Sequence, residues 1–353
     1  MARICIPDHE YKERVARAAA ILQREGLDAL IVNGNEADYA NPRYFSGFWP
    51  LFERSGVAIS ADGRAALMVG PESAVFAADR SKIEKIFVML EFRESADPSY
   101  PEIKPSTFQE VFKSIGVNGE NLKIGLGSYV ECTLPIYEGL KDSFPKAEIV
   151  KCNDIMVQLR KIKSQNEIAC IREGFRIIEL ATDEVIRNLR PGVTELEMVG
   201  VAQRVIYENG AEYEGLPMYV FSEESTRHAI SRSCYRTIKA GDIVQLNLSA
   251  KIDGYSPSIG LPVIMGKLEG ERRELVEFCR QAHEWTCQQI KAGVLASDIA
   301  KRFYQMYVDA GMKKVSKILY PGKRHELLNE DNKLDVMQDV YTWICEMVLK
   351  QQG

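Results

Sequence analysis

Long apolar runs are absent from this sequence of 353 residues: nothing in it approaches the roughly 20 consecutive apolar residues of a membrane-spanning helix. The start, "MARICIPDHEYKERVARAAAILQ", has no apolar segment flanked by basic and small residues, so it does not read as a secretory signal. Both absences set the cytoplasm as the expected compartment and exclude a membrane partner. Paired cysteines are missing too. Cys5, Cys132, Cys152, Cys170, Cys234, Cys279, Cys287 and Cys345 are scattered without a CxxC, which predicts reduced, mostly buried thiols rather than disulfides or a zinc knuckle. Excess positive charge is lacking as well. Lysines and arginines number 45 against 50 aspartates and glutamates, for a formal net charge of −5 without a basic cluster, which argues against a nucleic-acid partner. There is no GxxxxGK[ST] phosphate loop and no GxGxxG after a strand. "RHELLNE" holds His325, Glu326 and Glu330, but Asn329 stands where HExxH needs its second histidine, and the stretch reads as a solvated helix start.

What is present is enough apolar residue, 46%, for two globular cores. The first part alternates helical and strand patterns: a helix through "YKERVARAAAILQREG", a strand "LDALIV", a hairpin "GVAISADGRAALMVG" turning at Asp62-Gly63, and strands "KIFVML" and "LKIGLG". This predicts an α/β domain over residues 1–154 with a mixed sheet. In "VQLRKIKSQNEIACIREGFRIIELATDEVIRNL", Ile162, Ile168, Ile171, Phe175, Ile178 and Leu180 recur at helical spacing and open a second domain over residues 155–353. That domain repeats itself. "LRPGVTELEMVGVAQRVIYENGA" aligns with "IKAGVLASDIAKRFYQMYVDAGM", Gly192 on Gly293 and Gly210 on Gly311, each copy reading as a glycine turn, a capped amphipathic helix and a glycine stop. Strand patterns "YEGLPMYVFS" and "DIVQLNLSAKIDGYSPSIGLPVIMG" follow the first copy. After the second come only a short strand pattern, "KVSKILY", and a tail whose Leu334, Met337, Val340, Tyr341, Ile344, Met347 and Val348 share one helical stripe. The expectation is a second half-sheet missing or rebuilt after about residue 312, with the tail helix packed over the open face or onto a second subunit.

The stretches "NPRYFSGF", "VQLRKIKSQNEIACIREG", "LRPGVTELEM", "STRHAISR", "AGDIVQLNLSAKIDGY" and "IKAGVLASDIA" occur in an order that resembles the creatinase/aminopeptidase P/prolidase family. The resemblance implies an α/β (α+β) fold, in which a creatinase-type N-terminal domain precedes a pita-bread domain, here with an incomplete second half. It implies a homodimer, and in the peptidase members a pair of metal ions held by two Asp, one His and two Glu. Paired divalent cations need several anionic oxygens. Asn247 and Ser258 occupy the two Asp positions, and neither side chain carries charge. The His and both Glu would belong to the half-sheet expected to be missing, so no metal and no other cofactor is expected. Creatinase, the metal-free relative, is the nearer resemblance, sharing the Asn. By that likeness His228 is the proton-accepting catalytic group, while Arg54 and Phe52 bind the carboxylate of a substrate held by the partner subunit. Gly260 departs from creatinase, which has an acid there, so creatine itself is not the expected substrate. Cys234 reads as a buried thiol rather than a nucleophile. The expected function is binding, with metal-independent hydrolysis at a C–N bond, of a small carboxylate-bearing amino- or imino-acid derivative or short peptide. The alternative is a non-catalytic or decaying homologue that serves as a binding or dimerisation module.

Overall fold

The apolar run at Ala29–Val32 has no polar alternation, as a strand buried on both faces requires. It begins β1 (Ala29–Gly34), the centre of the first sheet in a computed structural model that describes residues 3–96, 99–228, 231–311, 334–339 and 342. Before it, α1 (Asp8–Glu25) lays Val15, Ala18 and Leu22 against the sheet. After it come α2 (Ala40–Ser46) and the expected hairpin, β2 (Ser55–Ser60) and β3 (Ala65–Val69), turning at Asp62-Gly63. Then follow α3 (Ala74–Arg80), β4 (Ile86–Val88), α4 (Phe108–Ser114), β5 (Lys123–Leu126), α5 (Leu134–Ser143) and β6 (Glu148–Lys151), the last a strand the sequence reading did not anticipate. The six strands lie in the order β4-β3-β2-β1-β5-β6, with β1, β5 and β6 mutually parallel and β1, β2 and β3 antiparallel. Successive β1 residues serve opposite cores: Leu30 and Val32 meet α1 and α2, while Ala29 and Ile31 meet α4 and α5.

Two helices lead onward, α6 (Asn153–Arg160) and α7 (Gln165–Asn188), the latter started by a capping box between Ser164 and Glu167. The buried face of α7 keeps Ile178 of the residues read at helical spacing but is otherwise displaced from them. Phe175 and Leu180 are 38% and 40% exposed, whereas Cys170, Gly174, Ile177, Ile178, Ala181 and Val185 point inward. The reason is close approach: a Cβ at Gly174 would stand 2.4 Å from Pro257 Cγ, so the sheet turn reaches the helix axis only over a residue without a side chain.

Helix α8 (Glu195–Glu208) and the antiparallel strands β7 (Tyr219–Ser222), β8 (Ile243–Ser249) and β9 (Ser258–Ile264), in that order, complete the unit Met1–Lys267. Val220, Val244, Leu246 and Leu248 form one sheet face and pack with α7 and α8.

The second unit, Leu268–Gly353, contains α9 (Gly270–Gln289) and α10 (Ala296–Asp309), joined by a Phe278–Tyr307 ring contact at 4.9 Å. The repeat is carried through to the backbone. Glu195–Glu208 and Ala296–Asp309 begin and end 101 positions apart (296 − 195 and 309 − 208), and all four flanking glycines have positive φ: 100° and 86° at Gly192 and Gly293, 95° and 79° at Gly210 and Gly311. One expectation fails. Thr194 caps α8 through a box with Glu197, but the N-cap residue of α10 is Leu295, which has no side chain that can cap.

Two further corrections concern burial. Only Cys170 is buried among the described free thiols; Cys5, Cys234, Cys279 and Cys287 are exposed, because a thiol is hidden only where the inward stripe of its element falls on it. In the short helical turn 334–339, Val336 is 4% exposed while Leu334 and Met337 are 73% and 55% exposed, so the turn buries the side opposite to the stripe expected. The "KVSKILY" strand, the "RHELLNE" helix start and the proposed loss of a half-sheet after residue 312 lie outside the described residues.

Candidate functional site

Alternation along β8 puts Gln245, Asn247 and Ser249 on the sheet face turned away from α7 and α8. In register with them stand Phe221 and Tyr219 on β7, and Pro262, Gly260 and Ser258 on β9. The structure therefore brings Asn247 and Ser258 onto one face, with Gly260 directly across from Asn247. That face is open: Ser258, Gly260 and Pro262 are exposed and Asn247 is half-buried. The Asn247 amide donates from Nδ2 to the Tyr219 hydroxyl, and the Tyr219 ring stacks on Phe221 at 4.3 Å. Its Oδ1 is buried and accepts no hydrogen bond from the described residues.

The donor chemistry of this face does not fit two divalent cations. All eight of its residues are uncharged, and the two positions where the resemblance implies Asp offer an amide and a hydroxyl. The stretch where the remaining three ligands would fall lies outside the described residues.

His228 is exposed at the end of a short 3-10 turn, Glu223–Arg227, and its N–H donates to Ser225 O at 3.1 Å. The sequence reading missed what holds this loop. Glu195, fully buried at the start of α8, accepts from Ser222 N and Oγ at 2.8 and 2.9 Å and from Cys234 N at 3.1 Å. One carboxylate thus pins both ends of the loop carrying His228, with the helix N-terminus adding favourable charge. Cys234, expected to be buried, is instead exposed with Sγ 3.5 Å from Glu195.

Arg54 and Phe52 lie in the segment between α2 and β2, where the Phe52 N–H donates to Glu36 Oε2 at 3.4 Å. Arg54 pairs with Glu131 at 3.3 Å, while its sequence neighbour Glu53 is 1% exposed and accepts from Glu72 N and Ser73 N. Phe52 is 74% exposed with φ of 60°, a left-handed conformation unusual for a bulky residue, and its ring is held out in solvent.

Lys251, just past β8, also escaped the sequence reading. It is 3% exposed, and its Nζ lies over the rings of Trp49, Tyr39 and Tyr213 at 3.6, 4.2 and 5.3 Å. Burial pushes its ammonium down to about 8, the charge of Arg43 adds to this, and Glu212, Glu214 and Glu36 oppose it. Between pH 8 and its ordinary 10.5 the unfolded chain binds the extra proton, so this lysine makes stability rise with pH across that window. The urea midpoint of wild type should rise relative to that of Lys251→Met as pH increases through the window; parallel profiles would refute the assignment.

Comparison with known proteins follows the same division. Residues 14–162 match the Creatinase/Prolidase N-terminal domain, and residues 169–324 match Metallopeptidase family M24. An Xaa-Pro dipeptidase of Pyrococcus furiosus is 25% identical over 290 residues, spanning 82% of this chain and 75% of the relative. A creatinase of a Bacillus species is 25% identical over 309 residues, spanning 84% and 71%. Among solved structures, the X-Pro aminopeptidase of Thermotoga maritima superposes with a TM-score of 0.70 at 20% identity, over 84% of this chain and 78% of that one. The prolidase of Pyrococcus horikoshii gives 0.69 at 21%, over 85% and 78%. At these identities the structural likeness establishes the fold.

Proposed function

Since the chain belongs to the creatinase/aminopeptidase P/prolidase family, we propose that it is a member without the dinuclear metal site, which binds a small carboxylate-bearing amino- or imino-acid derivative and hydrolyses it at a C–N bond. The observation that carries this reading is the uncharged face of β7–β9, where Asn247 offers a buried, unpartnered Oδ1 and Ser258 a hydroxyl. Asn247 would accept from the substrate's N–H, Ser258 would hydrogen-bond beside it, and His228 would take a proton from water as it attacks carbon and pass it to the nitrogen as the C–N bond breaks. Arg54 and Phe52 would receive the substrate carboxylate across a homodimer interface, a role that the 74% exposure of Phe52 supports. No described helix is long and apolar enough to cross a membrane.

A second reading, a non-catalytic binding or dimerisation module, is favoured by one feature. The only hydrogen bond formed by His228 among the described residues is through its backbone N–H, so nothing there orients the imidazole.

The test is metal analysis of protein purified without chelators, with thermal shifts against Mn²⁺, Co²⁺, Zn²⁺, creatine, sarcosine, proline and X-Pro dipeptides. Expected are no stoichiometric metal, a shift from one carboxylate that Arg54→Ala removes, and loss of about 10²–10⁴-fold in turnover of that compound on His228→Ala. The melting temperature of His228→Ala should not move, because the side chain is exposed. Stoichiometric metal, or stabilisation by Mn²⁺ or Co²⁺, overturns the proposal. A ligand shift without turnover selects the second reading.

A further inference from the structure

In the first sheet the chain leaves β1 toward β2 on one side and leaves β5 toward β6 on the other. Adjacent parallel strands whose connections diverge open a crevice at their carboxyl ends, the place where open α/β sheets receive ligands. A cavity of about 660 Å³ lies there, large enough for a small organic molecule. Its walls are the residues after β1, the residues after β5, α6, and the turn Asp253–Ser256 that joins β8 to β9.

The walls are tied together before any ligand arrives. Asn41 donates to Ser128 Oγ at 2.9 Å and accepts from Arg160 Nη1 at 2.7 Å, and Asn153 Oδ1 accepts from Tyr129 N at 3.0 Å. The charges on the walls do not cancel. Three lining carboxylates already have cations: Glu131 has Arg54, Glu167 has Arg14 at 3.7 Å, and Asp253 has Arg43 at 3.6 Å. Arg160, Lys161 and Lys163 have no carboxylate within 4.0 Å among the described residues, and against these three only Asp38 is likewise without an ion pair. Arg43, 7% exposed, also lines the cavity and keeps Nε and Nη1 without acceptors. Apolar surface comes from Tyr44, Tyr129, Met156 and Val157.

We propose that this cavity is a second ligand site, separate from the β7–β9 face, for a small anion, carboxylate or phosphate, carried on an apolar body of about the size of a benzene ring. Arg160, Lys161 and Lys163 bind the anionic group, and the tyrosine and aliphatic walls hold the rest. The site does not depend on the chemistry assigned to Asn247 and His228, but the turn Asp253–Ser256 connects it physically to the strands that bear Asn247 and Ser258.

Calorimetric titration of the full chain with phenyl phosphate, benzoate and inorganic phosphate tests the site. Expected is a dissociation constant below about 1 mM for phenyl phosphate or benzoate, with the tighter of the two identifying the anionic group, and weaker binding of inorganic phosphate. Arg160→Gln and the Lys161→Gln/Lys163→Gln pair should each weaken the tighter ligand about tenfold or more, and the exposed lysine pair should do so at the wild-type melting temperature. Asn247→Ala should leave the affinity unchanged. The proposal is overturned if neither aromatic anion binds, if inorganic phosphate binds as tightly as both, if the cation variants bind normally, or if Asn247→Ala abolishes binding.

Discussion

Arg14→Ala is expected to remove about 3–5 kcal/mol of stability, the loss seen when one partner of a buried ion pair is deleted. Arg14 is 1% exposed, and its guanidinium serves four elements: Nη1 donates to Tyr44 O on α2 at 2.9 Å, and Nη2 donates to Glu10 on α1 at 2.8 Å and to the Tyr255 hydroxyl of the β8–β9 turn at 2.9 Å. The fourth is α7, whose Glu167 lies 3.7 Å from Nη2 and accepts from Tyr255 at 2.7 Å. Without the cation, Glu10 and Glu167, 4% and 3% exposed, become buried carboxylates with no compensating charge. The loss should depend on pH. Burial pushes Glu10 upward, but hydrogen bonds from Asn166, Ser164 and Arg14 together with the Arg14 charge outweigh it, leaving Glu10 below its ordinary 4.5. A depressed carboxylate stabilises the fold above its unfolded value and ceases to do so as pH falls through the folded one. The gap between wild type and Arg14→Ala in urea midpoint should therefore narrow toward and below pH 4.5. Arg14→Lys, with charge but no fork, should fall between them. A gap under about 1 kcal/mol at neutral pH would show that water or side-chain rearrangement replaces the guanidinium.

Glu195→Ala should be nearly as damaging, costing about 3 kcal/mol or more, because it strands several donors at once. The Ser222 N–H and hydroxyl are fully buried and have their acceptor in Oε1; the Cys234 N–H has its own in Oε2, with Arg236 Nε 3.8 Å from Oε1. Since both ends of the segment 223–233 rest on this one side chain, its removal should speed amide exchange and proteolysis there before the rest of the unit opens. If His228 has the catalytic role proposed, turnover should fall with it, while ligand affinity at the β1/β5 crevice stays unchanged. Glu195→Gln, isosteric but with donors of its own facing donors, should lose more than half of what alanine loses. Wild-type melting and wild-type proteolysis of Glu195→Ala would remove the clamp from the account.

Local pattern was sufficient wherever the physics is local. The β2–β3 turn and the cap of α8 at Thr194 depend on residues within a few positions of one another. The repeat was legible to the residue, since a glycine with positive φ and an apolar stripe carry the same helix twice whatever surrounds it. Alternation along β8 and β9 was enough to place Asn247 and Ser258, both uncharged, on one face.

Long-range contacts decided the rest. Whether α7 buries Phe175 or Gly174 depends on Pro257, more than eighty positions away, which requires a missing side chain rather than a large one. Arg14, Glu195 and Lys251 look like surface residues in the sequence, because nothing near them in the chain reveals that Tyr255, Cys234 or Trp49 will close over them. The crevice at β1 and β5 exists only once strand order is set. Sequence by itself carried the family resemblance, the repeat and the uncharged residues of the β8–β9 face; tertiary structure alone decided which charges are buried together and which are left facing a cavity, because desolvation and ion pairing depend on distance in space, not along the chain.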